Sequence, residues 1–158
     1  MKKGFTIIEL LAVLVILSIL ALITIPVISN VINTGKKSAV EKSTSFYIKE
    51  LEASFSEWVI EGIPLEYEIS DGCAVFDVRK LNKILKLEGT VPVSGRVKIN
   101  NDYNSSNYYY GYVIDATLNY DSGYVATYTY NTNDNYVGDR SNIEVNKKWR
   151  YSNAILFY

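Results

Sequence analysis

The feature that most constrains this chain is an apolar segment that runs from Phe5 to Ile28 and contains one carboxylate, Glu9. The segment is long enough to cross about 30 Å of hydrocarbon as a helix. A charged side chain at that depth costs roughly 2.5–3.5 kcal/mol, so Glu9 needs a partner or a specific role. Lys2 and Lys3 precede the segment. A basic flank favours the cytoplasmic side, which predicts a cytoplasmic N-terminus and an external location for the chain beyond about residue 30.

The position of the small residues predicts where this segment is processed. An ordinary secretory signal is cut after its apolar run, at a small-residue site, and the run is then lost. Here Asn30, Asn33 and Gly35 follow the run without such a site, whereas Gly4 stands directly before it. A cut between Gly4 and Phe5 would remove the charged leader and keep the apolar helix. A plain signal-anchored protein is the alternative, but it accounts for neither the Gly4-Phe5 junction nor Glu9.

The block Lys3-Gly4-Phe5-Thr6-Ile7-Ile8-Glu9-Leu10 resembles the class III leader and N-terminal segment of type IV pilins and pseudopilins. The resemblance covers about the first thirty residues. It implies a leader at 1–4, a membrane and assembly helix at 5–29, and a soluble head at 30–158. It also implies that Phe5 becomes N-methylated and that its amine pairs with Glu9 of an adjacent subunit. Such a pair would fix subunit register more than it would add stability.

The resemblance also implies the partners and the location of the chain. We expect self-association into a helical homopolymer, processing by a prepilin peptidase and methyltransferase, and contact with a membrane assembly platform and its ATPase. The prepilin would lie in the cell membrane and the assembled subunit in a cell-surface pilus. The predicted function is therefore a structural subunit of a type IV pilus. The alternatives are a pseudopilin of a type II secretion or competence system, or a minor tip pilin that binds a surface or DNA.

The apolar pattern continues beyond the membrane segment at steps of three and four residues, which predicts one helix to about Glu61, stopped by Gly62 and Pro64. Thr6 matches the family pattern, and its hydroxyl could return to the helix backbone. Pro26 cannot donate to the carbonyl of Leu22, so it is expected to bend or loosen the helix there. The resemblance implies melting of this stretch on assembly, and a simple bend at the membrane exit is the alternative.

After Pro64 the apolar spacing changes to two, which predicts strands. The whole pattern predicts an α+β fold, with the long helix packed on an antiparallel sheet of three to five strands. Asp77 is expected to cap a short helix that Gly89 ends, and Pro92 indicates an edge strand. Residues 121–123 are expected to form a hairpin loop. Strand-like runs occur at Leu65–Ile69, Cys73–Val78, Val91–Ile99, Tyr108–Tyr120, Tyr124–Tyr130 and Ala154–Tyr158.

The composition disfavours catalysis. The chain has no histidine and one cysteine, Cys73, so it lacks the usual zinc ligands, a histidine base and any internal disulfide. Cys73 lies in an apolar run and is predicted to be a small buried filler. We expect no enzyme activity, no cofactor and no metal.

Three further features have mainly structural interpretations. The cluster Lys147-Lys148-Trp149-Arg150-Tyr151 combines basic and aromatic residues, which could bind single-stranded nucleic acid. The cluster is short and the net charge of the chain is −1, so we do not expect nucleic acid as a partner. The Asn-rich loop at 131–135 lacks the ligand spacing of a calcium-binding loop and is predicted to be a turn. Most of the 14 tyrosines fall in the C-terminal third. The alternation expected of strands explains their positions better than an aromatic binding surface does.

Overall fold

The computed structural model describes residues 6–85, 87, 89–102, 110–130 and 142–147. The chain divides into two compact units, Met1–Lys36 and Lys37–Tyr158. The first helix, α1, is Ile7–Glu61 and contributes to both units. The second unit, called the head below, adds a short helix, α2 (Val78–Ile84), and six strands. These are β1 (Glu68–Ser70), β2 (Cys73–Asp77), β3 (Ser94–Asn100), β4 (Val113–Asn119), β5 (Tyr124–Thr129) and β6 (Ile143–Lys147).

The six strands form one sheet in chain order, β1 to β6, with every neighbouring pair antiparallel. The strands therefore form a meander, in which only the β1–β2 and β4–β5 connections are short and α2 lies between β2 and β3. The α+β prediction is confirmed, but six strands exceed the predicted three to five. The additional strand is β6, whose alternating sequence lies between the Asn-rich loop and the basic cluster. Sequence reasoning missed this strand because it interpreted the Asn-rich segment before it as a turn and the basic cluster after it as the end of a strand.

One face of α1 supplies part of the head's core. Its buried side chains recur at three- and four-residue steps, as the sequence predicts for an amphipathic helix. They pack against the inward residues of the sheet, which alternate along the strands. The buried helix residues are Val40, Thr44, Tyr47, Ile48, Leu51, Phe55 and Trp58.

The end of α1 follows its sequence signals. Gly62 adopts φ +68°, a left-handed conformation that glycine reaches without a Cβ penalty. The Ile63 N–H then donates to the Trp58 carbonyl at 3.0 Å, the six-to-one bond of a Schellman motif. Pro64 cannot continue a helix, so the predicted stop at these residues is confirmed.

The short helix α2 begins as predicted and ends earlier. Asp77 is extended, and its Oδ1 accepts from the Arg79 N–H at 2.8 Å, which is an N-cap. Leu85 caps the other end with an N–H bond to the Leu81 carbonyl at 2.8 Å. The predicted end at Gly89 was therefore too late by about one turn.

Three predictions about the strands were wrong. Pro92 does not mark an edge, because β3 lies between β2 and β4 and Pro92 precedes it. Val93 is 49% exposed, whereas Val97 and Ile99 are fully buried, so only the second half of that run faces the core. Cys73 is half-buried at the start of β2 rather than a buried filler. The predicted strand at Ala154–Tyr158 lies outside the described residues.

A bulge also changes the face of β4. Lys98 pairs with Asp115 but Ile99 pairs with Val113, which leaves Ile114 as an extra residue. Val113 therefore points into the core and Ile114 is half-buried, the reverse of the predicted alternation from Tyr108 to Tyr120. Ala116, Leu118 and Tyr120, which follow the bulge, are buried as predicted. The predicted turn after Tyr120 is confirmed, with Gly123 at φ +79°.

Buried hydroxyls join α1 to the rest of the head. The hydroxyls of Thr44 and Tyr120 lie 2.8 Å apart in a buried hydrogen bond. The Tyr47 hydroxyl donates to Asn82 Oδ1 at 3.0 Å, and Asn82 Nδ2 donates to the Pro92 carbonyl at 2.7 Å. These bonds satisfy polar groups that would otherwise be costly to bury. They also fix the position of the helix relative to α2 and to the segment before β3.

The buried tyrosines predict a loss of stability at high pH. Burial raises the pKa of Tyr47 well above its usual range, with a smaller contribution from Tyr120. The unfolded chain ionises near pH 10, whereas the folded chain keeps this phenol neutral. The stability that the neutral Tyr47 phenol contributes is thus fully present below pH 10. Above pH 10 the free energy of unfolding falls, and Tyr47 accounts for up to about 1.4 kcal/mol of this fall per pH unit.

We expect the urea midpoint of the detergent-solubilised chain, followed by circular dichroism, to fall between pH 10 and pH 11.5. Tyr47→Phe should lower the midpoint at pH 7, because Asn82 Oδ1 loses its hydrogen-bond donor. The urea midpoint of the same variant should fall less between pH 10 and pH 11.5 than the midpoint of the wild type does. An equal fall of the midpoint in both proteins would contradict the assignment of this pH dependence to Tyr47.

Candidate functional site

The start of α1 is closed by a reciprocal pair of side chains. Thr6 lies directly before the helix, and both its backbone N–H and its hydroxyl donate to Glu9 Oε2 at 2.8 Å. In return, the Glu9 N–H donates to Thr6 Oγ1 at 3.4 Å. This arrangement is a capping box, in which the N-cap residue and the residue three positions later satisfy each other's backbone donors. Glu9 therefore has a partner within its own chain.

The sequence contains the signal for this cap, Thr6-Ile7-Ile8-Glu9 followed by an apolar run. Sequence reasoning assigned Glu9 only to a neighbouring subunit and so missed its role within the chain. A carboxylate in the first turn also interacts favourably with the positive end of the helix dipole. The acid is thus tolerated at this position before any assembly occurs.

The geometry of the cap leaves half of the carboxylate available. Both bonds from Thr6 go to Oε2, and among the described residues no donor reaches Glu9 Oε1. A carboxylate can accept several hydrogen bonds, so a second donor can bind Oε1 without opening the cap. Glu9 is exposed, as are the residues around it. The arrangement therefore presents one oriented oxygen to a cation from outside the chain.

The segment that follows is apolar on every side. All described residues from 6 to 39 are exposed, and they include the large apolar residues from Ile7 to Ile32. By length and composition α1 could cross a membrane, and none of its most apolar window is buried. A helix that is apolar all round is stable only where lipid or other protein covers it. This segment thus requires an apolar environment around it.

Two hydroxyls in this segment are satisfied by the helix backbone. The hydroxyls of Ser18 and Thr24 donate to the carbonyls of Leu14 and Leu20, four residues back, at 2.8 and 2.6 Å. Such back-bonding satisfies these two hydroxyl donors within the helix, which favours a lipid environment. These bonds strengthen the assignment of the segment to an apolar environment.

Pro26 lies within α1, whose helical assignment continues through it from Ile7 to Glu61. Pro26 has no N–H for the Leu22 carbonyl, so this turn has one hydrogen bond fewer than its neighbours. The expected melting of this stretch on assembly remains a prediction.

The other predicted sites fall largely outside the described residues. Gly4 and Phe5, the predicted processing and methylation residues, lie outside them, as does the Asn-rich loop at 131–135. Of the basic cluster, Lys147 is exposed at the end of β6, whereas Lys148, Trp149 and Arg150 are outside the described part. Among the described residues the structure therefore brings together Thr6 and Glu9, and the nucleic-acid patch stays a prediction.

A cleft of about 350 Å³ lies beside β1, and three of the charged side chains that line it, Glu66, Asp77 and Lys80, form ion pairs. Lys80 Nζ is 2.7 Å from Glu66 Oε2, and its ammonium group holds the pKa of Glu66 below the usual value. Arg79 lies 3.1 Å from Asp77 and likewise lowers the pKa of that carboxyl. All of these groups face water, where such pairs contribute little. Neutralised surface pairs of this kind stabilise local structure and give the cleft no activated base.

Comparison with known proteins supports the assignment of the N-terminus. A family model described as the prokaryotic N-terminal methylation motif matches residues 1–25. This motif is the class III leader of type IV prepilins and pseudopilins, so the chain carries a prepilin leader. Such a leader implies processing by a prepilin peptidase, and it is consistent with membrane anchoring before assembly. No curated protein and no solved structure gives a significant match to this chain.

Proposed function

We propose that this chain is the precursor of a structural subunit of a type IV pilus. The observation that carries the proposal is the methylation motif at residues 1–25, joined to a helix whose most apolar window is fully exposed. Support also comes from the head, in which the second half of α1 packs on an antiparallel sheet. The role is structural rather than enzymatic.

Leader removal would occur between Gly4 and Phe5 and would free the amine of Phe5, which is then methylated. Before assembly, residues 5–29 hold the subunit in the membrane with its N-terminus cytoplasmic and its head outside. An assembly platform and its ATPase then transfer the helix from lipid into the filament. There, the helices of other subunits replace lipid as the apolar environment, so the transfer does not expose the segment to water.

The capping box gives Glu9 a defined task during this transfer. Thr6 holds Oε2, and Oε1 accepts the cationic amine of Phe5 from an adjacent subunit. A charge-assisted hydrogen bond inside an apolar filament is strong, and an unpaired charge there costs several kcal/mol. Only the subunit register that joins the two groups avoids this cost. Glu9 thus selects the register, while Thr6 orients the carboxylate.

The same leader occurs in pseudopilins of secretion and competence systems and in minor tip pilins, so these are the alternative roles. Mass spectrometry of filaments sheared from the cell surface distinguishes them. We expect filaments composed mainly of this chain, beginning at Phe5 with a methylated amine. A processed chain that stays in the membrane fraction, or that appears only in traces, would overturn the pilus assignment in favour of a pseudopilin or a minor pilin.

A further inference from the structure

The face of α1 that points away from the head's core carries three parallel rows of residues, each with a spacing of seven. The central row is apolar, and Phe46 and Ile60 in it are 55% and 86% exposed. Residues seven apart lie almost above one another on a helix, since seven residues make nearly two turns. We call the three rows together the outer stripe. Its central row is Phe46, Ala53 and Ile60, its lysine edge is Lys42 and Lys49, and its glutamate edge is Glu50 and Glu57.

The two edges of the outer stripe carry opposite charge. At 100° per residue, Lys49 lies about 40° to one side of Ala53 and Glu57 about 40° to the other. No residue of either edge forms an ion pair within the described part of the head. The last turn of α1 contains no basic residue, and acids near a helix C-terminus oppose the dipole. Within the part of the chain that the structure describes, this charge pattern therefore has no ion-pair partner.

We propose that the lysine edge of one subunit binds the glutamate edge of a second copy of this chain, with the two helices parallel. The contact is head-to-tail, because different edges meet, and a head-to-tail contact that does not close into a ring builds a filament. The proposal rests on the proposed function, since a polymer of parallel identical subunits is what brings a second copy to this face. Charge complementarity selects this occupant over lipid or an unrelated protein.

The spacing of the rows also sets the offset between the two copies. A displacement of eight residues along the helix axis, about 12 Å, brings Lys49 opposite Glu57 and Lys42 opposite Glu50 at once. The same displacement places Phe46 within one residue, about 1.5 Å along the axis, of the level of Ala53 in the second copy, where the small side chain leaves room for the ring. Without displacement only Lys49 and Glu50 would meet. The offset of eight residues thus pairs every charge of the lysine edge and covers exposed apolar surface.

Charge reversal tests the pairing. Lys49→Glu and Glu57→Lys should each reduce sheared filaments by roughly tenfold or more, because like charges would then face each other. The double variant Lys49→Glu/Glu57→Lys should restore them. Rescue within one chain is excluded, since residues 49 and 57 are about 12 Å apart along the same helix. Lys83→Glu reverses an exposed lysine on α2 and is the control, with no expected effect.

Disulfide crosslinking provides a measurement that does not depend on filament release. In a Cys73→Ser background, the pair Phe46→Cys and Ala53→Cys should give a ladder of multimers on oxidation, whereas each single cysteine should give no ladder. A ladder without surface filaments would support the outer stripe and overturn the pilus assignment. Wild-type filaments together with no ladder and no rescue by the double charge reversal would overturn the outer stripe alone.

Discussion

Replacement of Glu9 by alanine is expected to leave leader removal intact and to exclude the processed chain from filaments. Cleavage depends on the junction before Phe5, which the substitution leaves unchanged. Assembly would bury the Phe5 amine without its partner, a loss of about 3–5 kcal/mol for a buried pair, or more than a hundredfold in affinity. The measurement is the ratio of sheared filament protein to processed chain in the membrane fraction, with the N-terminal mass confirming cleavage.

Two matched variants separate the charge of Glu9 from its role as a cap. Glu9→Gln keeps an oxygen that can accept from Thr6 but removes the charge, so it should be nearly as defective as alanine. Thr6→Val removes the hydroxyl and keeps the backbone donor, so it should cost about 1 kcal/mol of helix stability and permit assembly. Normal filaments from Glu9→Gln would show that capping, rather than register selection, is the reason for this acid.

Sequence reasoning predicted the parts of this fold that depend on local signals. The three- and four-residue spacing located the buried face of α1, and Gly62 with Pro64 located its end. Asp77 was identified as a cap because its side chain acts on the next two residues. The predicted hairpin turn at Gly123 was also local. Each of these features follows from a few adjacent residues, whose preferences do not depend on the rest of the chain.

The features that were missed depend on residues far apart in the chain. The bulge at Ile114 appears only when β4 is paired with β3, and a single extra residue reverses every side chain on one side of it. Likewise, β3 is internal because β2 pairs with it, which the proline before the strand could not indicate.

The capping box of the candidate site, in contrast, is a local feature that sequence reasoning missed. It was present in four consecutive residues, and it was overlooked because a role between subunits had already been assigned to Glu9. The structure adds the one fact that the sequence does not contain, which is that Thr6 engages a single oxygen of the carboxylate.

Gly95→Ala is expected to destabilise the head strongly, because β3 and β4 approach each other closely at this glycine. A Cβ on Gly95 would overlap the Thr117 carbonyl oxygen and lie 3.1 Å from the Leu118 Cα, both of which are backbone atoms. Its φ of +146° adds strain for any other residue. Since neither strand can move without breaking its pairing, we expect a loss of roughly 2–4 kcal/mol in unfolding free energy.

Gly72→Ala is the matched control for that substitution. Gly72 also has a positive φ, +75°, but a Cβ there meets nothing within 4 Å. Its variant should therefore show the conformational strain alone, about 1–2 kcal/mol. Urea unfolding of both variants, followed by circular dichroism, measures the difference. Equal losses would mean that the two strands separate at Gly95 without cost, and that the close approach of β3 to β4 does not limit which residues this position accepts.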